Sequence, residues 1–125
     1  MLRIALLASV LAAPAHAVSC PQGDPAADAA YVAAAMGHVE EVLAATPQRL
    51  YVTQLVIREG FARPDVVADG AWGPVTAGAL CDLLSTYTAI NGAENGVRSR
   101  EDAAAFERWI VSAAYAAATG GEFPD

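Results

Sequence analysis

Asp69-Gly70-Ala71-Trp72-Gly73-Pro74-Val75-Thr76-Ala77-Gly78-Ala79-Leu80 joins a turn to the start of a helix. Asp69-Gly70 is the turn: an Asp carboxylate accepts from backbone N–H groups just ahead of it, and Gly enters positive φ at little cost. Gly73-Pro74 is the helix start, because Pro74 is preset to helical φ and lacks an N–H that the first turn leaves unpaired anyway. Thr76 is placed to satisfy one of the remaining orphan donors. Trp72 stands between these two stiff corners. A large amphipathic ring in that position either locks the turn onto the helices or forms one wall of a site for a sugar or a peptide. Asp69 likewise either caps the turn or partners an amide or ammonium group of a ligand.

Working outward, the helix that starts at Pro74 is predicted to run to about Thr88 and to bury Leu80, Leu83, Leu84 and Tyr87. Asn91-Gly92 and Asn95-Gly96 are two turn dipeptides, so a loop follows. A further helix opens at Ser99, with Asp102 in capping-box spacing, and presents the stripe Phe106, Trp109, Ile110 and Ala113. Gly120-Gly121 stops it, and Glu122 to Asp125 fray. Upstream of the corner, Phe61 to Ala68 reads as a loop with Val66 and Val67 tucked beneath it. Before that loop, Gln48 to Glu59 carries β-branched and aromatic residues that would also suit a strand. Thr46 as cap, Pro47 in the first turn and Gly60 as the closing glycine favour helix. The first helix is expected from Pro25, capped by Asp24, to near Ala45. Val32, Met36, Val39 and Leu43 point inward there, with Glu40 and Glu41 toward water. The chain is Ala-rich and nearly free of strand-like alternation. The fold class is therefore all-α, a small orthogonal bundle of three to four helices with one disulfide.

Residues 1–17 have the order of parts of a secretory signal peptide. A positive charge at Arg3 precedes an apolar run from Ile4 to Ala13 and an Ala15-His16-Ala17 cleavage site. The apolar run is too short to span a membrane. Cleavage after Ala17 leaves residues 18–125 as one helical domain and takes the formal charge from −7 to −8, since Arg3 is the only Lys or Arg lost. So acidic a chain, without a single Lys, repels phosphate backbones, which makes nucleic acid and anionic membrane poor partners; no nucleic acid is expected. Two cysteines in an exported protein, Cys20 and Cys81, predict one disulfide. Closing that loop of about 62 residues restricts the unfolded chain by about 4 kcal/mol.

Catalytic chemistry has no constellation to stand on. His38 has no Ser or Cys nucleophile in frame with it. Glu40-Glu41 and Glu101-Asp102 are adjacent on helices, so each pair diverges instead of facing across a cleft. A metal site would need ligands beyond two cysteines and His38. No catalytic residue, metal or cofactor is expected. Arg58 and Arg63 flank Gly60 close to the corner, and their guanidinium forks match the carboxylates of a peptide.

Asp69, Gly70, Trp72, Gly73, Pro74 and Thr76, continuing into Ala77, Ala79 and Leu80, resemble the signature of the small helical peptidoglycan-binding domains, Asp-Gly-x-aromatic-Gly-Pro-x-Thr followed by an Ala-rich helix. Gln54, Ile57, Gly60 and Phe61 are similar in kind and spacing to the helix that precedes that signature in the family. The resemblance covers about Pro47 to Thr88, with the peptidoglycan-binding-like core at about 47–90. This chain departs from the pattern in a longer loop at Phe61–Ala68, in Leu83-Leu84 where members carry Phe-Gln, and in Cys81 within the helix. What the resemblance implies is a non-catalytic periplasmic or secreted module that binds cell-wall peptidoglycan, through its glycan or its stem peptide. The ligand-binding candidates are Asp69, Trp72, Thr76, Arg58 and Arg63. The alternative is a periplasmic protein-interaction role (an inhibitor, immunity or assembly factor) reusing the same helical fold.

Overall fold

A computed structural model describes residues 29–119. The signal segment, Cys20, the cap at Asp24-Pro25, and the stop at Gly120-Gly121 with the tail after it lie outside the described residues. Among the described residues four α-helices follow one another: α1 Ala29–Ala44, α2 Pro47–Gly60, α3 Pro74–Asn91 and α4 Arg100–Thr119, with a 3-10 turn at Ala93–Asn95 before the last. The fold is an all-helical bundle, with no strand among the described residues.

The segment with mixed signals, α2, is helical because its tertiary partners require it. Leu50, Thr53, Gln54 and Ile57 are buried on one face, while Tyr51, Val52 and Leu55 are exposed. A strand would have put alternate residues inside instead. Thr46 takes the extended backbone of a cap residue, but its hydroxyl caps nothing. Its carbonyl accepts the Leu50 N–H at 3.0 Å, and Pro47 removes one of the donors a side-chain cap would have served.

Gly60 also differs from expectation. It is the last helical residue, and the left-handed conformation falls at Ala62, with φ 53°. Arg63 N–H then returns to the Arg58 carbonyl at 3.2 Å, the six-to-one bond of a Schellman closure. The reason for glycine at position 60 is a close approach: a Cβ there would lie 2.5 Å from the Cβ of Ala114 in α4.

In α1, Met36, Val39 and Leu43 are buried as the spacing predicts, joined by Ala35, while Val32 is half-buried against the core. α3 runs one turn further than its sequence suggests, because Asn91 Nδ2 donates to the Tyr87 carbonyl and Gly92 N–H to that of Thr88, each at 2.9 Å. Leu80 and Leu84 are buried; Leu83 and Tyr87 pack on the core from its edge. At the start of α4, Ser99 Oγ accepts the Asp102 N–H at 3.1 Å, while the shorter Asp102 side chain accepts from Arg98 N–H at 3.0 Å.

α4 is the central element, packed against both α1 and α2. Phe106, Trp109, Ile110 and Ala113 are all buried. Tyr87 meets Phe106 and Trp109 with ring centroids 5.1 and 5.3 Å apart, edge-rich geometries that aromatic pairs favour. Arg49 and Thr53 on α2 both donate to the Glu107 carboxylate on α4, Arg49 Nε at 2.6 Å and Thr53 Oγ1 at 3.0 Å. Of the two valines expected beneath the 61–73 connection, only Val66 is interred; Val67 is 61% exposed.

Candidate functional site

Gln54 builds the corner at residues 69–76. Its side chain is fully buried on α2, so every polar atom on it needs a partner. Oε1 accepts the N–H groups of Asp69 at 3.1 Å and Gly70 at 2.8 Å. Nε2 donates to the Ala71 carbonyl and to Thr76 Oγ1, each at 3.0 Å, with a longer contact of 3.3 Å to Asp69 Oδ1. Two acceptor sites and two protons are thereby filled. The opposite amide orientation would set an –NH2 group against two backbone donors, so the partners fix it.

The same bonds explain the neighbouring residues. Gly70 has φ +72°, and a Cβ on it would sit 3.0 Å from the Pro47 carbonyl oxygen, so the corner lies against the first turn of α2. Asp69 is a turn cap as expected, its Oδ1 accepting the Ala71 N–H at 3.0 Å. Thr76 is buried, but its hydroxyl serves Gln54 and not an orphan N–H of α3.

Trp72 is half-buried, with part of its ring on the core. The remainder borders an open depression of about 230 Å³, whose lining includes Asp65, Val67, Asp69, Trp72, Val75 and Thr76. Three of the candidate ligand-binding residues, Asp69, Trp72 and Thr76, thus meet in one place. The other two do not join them. Arg58 is exposed, with Glu59 at 3.7 Å. Arg63 turns its guanidinium onto two carboxylates, Nε and Nη2 onto Asp65 at 3.2 Å each and Nη1 onto Asp82 at 3.1 Å. The bond to Asp65 holds the Arg63 pKa above its ordinary value, and Arg63 in turn holds the Asp65 carboxyl below the usual carboxylate range. Arg63 borders a second depression of about 250 Å³ between Ile57, Phe61 and Leu83.

Sequence reasoning placed Gln54 among similar residues without giving it a role. The available signal was a long polar side chain on the buried face of α2, beside Leu50 and Ile57, where an unpartnered amide would be costly. His38 pairs with Glu41 at 3.3 Å on an exposed turn of α1. Among the described residues, no group of three His, Cys, Asp or Glu side chains could hold a metal ion, and no helix is long and apolar enough to cross a membrane. No family model, curated protein or solved structure matches the chain.

Proposed function

We propose that the protein is an exported, non-catalytic module that docks on cell-wall peptidoglycan through the Trp72 depression. One observation carries this reading: a partly exposed indole beside a helix start, held by a corner whose backbone is bonded to one buried glutamine. An aromatic wall fixed in this way binds at little cost in conformational entropy. The signature at Asp69–Thr76, which resembles that of the peptidoglycan-binding domains, and the signal-like residues 1–17 support the same assignment. In the exported protein a disulfide between Cys20 and Cys81 ties the N-terminal segment to α3, where Cys81 is fully buried. The helices take the orthogonal arrangement of the family that the signature resembles.

Sedimentation with purified insoluble sacculi tests the proposal, using the wild type beside a Trp72→Ala, Asp69→Ala double variant whose helicity is checked by circular dichroism. The wild type is expected in the pellet and the folded variant in the supernatant. If neither sediments, wall binding is wrong; if both do, the site is wrong.

A second reading, a periplasmic protein partner, is favoured by exposed Tyr51, Val52 and Leu55 within little more than one turn of α2. Recovery of one stoichiometric protein from periplasm, with no retention on sacculi, would select it.

A further inference from the structure

The chemistry lining the Trp72 depression is one-sided. Asp65 and Asp69 supply carboxylates, Val67 and Val75 supply exposed apolar surface, and no basic side chain takes part in the lining. The nearby guanidinium of Arg63 does not reverse the sign. It lies on Asp65 and also on Asp82, which borders the other depression, so Arg63 with Asp65 and Asp69 still leaves one negative charge uncompensated at this site. The chain around them is acidic throughout, with a formal charge of −7.

From this complementarity we infer that the depression takes the ammonium end of an aliphatic side chain. The inference rests on the wall-binding proposal and narrows it, the ligand being an amine-bearing residue of the stem peptide. The methylene groups lie on Val67 and Val75. The ammonium group sits by the two carboxylates and the indole, gaining from both ion pairing and the ring quadrupole. A carboxylate terminus meets repulsion in the same place, and a neutral sugar gains contact with the indole alone.

Pentylammonium, pentanol and pentanoate, matched in chain length, separate these cases when each is titrated into the purified protein and the Trp72 indole N–H is followed by NMR. Pentylammonium should bind about fivefold or more tightly than pentanol, and more weakly as salt is added, while pentanoate leaves the resonance in place. An Asp65→Asn, Asp69→Asn variant keeps an acceptor oxygen for the Ala71 N–H and should bind pentylammonium no better than pentanol. Equal or tighter binding of pentanol, or an unchanged response in the double variant, overturns the inference. Sacculi whose amines have been acetylated complete the test. Retention on native but not acetylated sacculi supports the inference. Retention on both overturns it and leaves wall binding standing. Retention on neither overturns wall binding and this assignment of its ligand together.

Discussion

Gln54 and Gly70 lie sixteen residues apart, and the side-chain oxygen of the first accepts the backbone N–H of the second at 2.8 Å. That bond and those to Asp69, Ala71 and Thr76 convert a turn on the surface into an extension of α2. The position of Trp72 is therefore inherited from the bundle and not from the loop's own preferences.

Replacing Gln54 with Leu keeps the volume and removes every one of those bonds. The Gly70 N–H, the Ala71 carbonyl and the Thr76 hydroxyl lose this partner, and the Asp69 N–H keeps only the Val67 carbonyl, which should cost about 2–4 kcal/mol in urea unfolding. Hydrogen exchange at the Gly70 amide should accelerate by more than the global loss of stability explains. Unchanged exchange there would mean that the corner stands without its glutamine.

At Gly60 the backbone of α2 passes so near α4 that a Cβ would lie 2.5 Å from the Cβ of Ala114. Gly60→Ala should destabilise by about 1–3 kcal/mol, since the new methyl group meets a methyl on a rigid helix. Adding Ala114→Gly should return part of that loss. The double variant is then more stable than the sum of the single effects predicts, and additive effects would count against the contact.

Ala62 occupies the left-handed seat after α2 at φ 53°, where glycine is the usual resident. Ala62→Gly relieves that strain and gives back part of it through greater freedom of the unfolded chain. A net gain of about 0.5–1 kcal/mol is expected, seen as a higher urea midpoint at constant slope.

These examples also mark what the sequence made legible. Three of the helices were readable because each carries a one-sided apolar stripe, and Phe106, Trp109, Ile110 and Ala113 are buried as their spacing says, whereas α2 was favoured only by the residues at its ends. The corner at Asp69–Thr76 was readable because Asp, Gly and Pro each impose a local backbone geometry. Gly60 was misread because a glycine near a helix end serves either chain reversal or close packing, and only the position of Ala114 decides between them. The partners of Thr76 and Arg63 were missed for a related reason. The Thr76 hydroxyl meets Gln54, twenty-two residues away, and Arg63 joins its neighbour Asp65 to Asp82, nineteen residues away, so the distant half of each arrangement lies beyond any local pattern.

Asp65 makes stability depend on acid in a direction that can be stated. Arg63 holds its carboxyl below the usual range in the folded chain, so its contribution is fully present above about pH 4 and is lost as pH falls through the lowered folded value. The gap in urea midpoint between wild type and Asp65→Asn should be steady from pH 7 to about pH 5 and close in stronger acid. The gap is small at its largest, because the carboxylate is exposed.

Wall docking by the Trp72 face is the central claim, and a pair of surface charges tests it most directly. Val75 and Ile90 are both 47% exposed on α3, about 22 Å apart along its axis. Only Val75 borders the depression. Val75→Lys should abolish sedimentation with sacculi while Ile90→Lys sediments like the wild type. Equal retention of the two variants would contradict it.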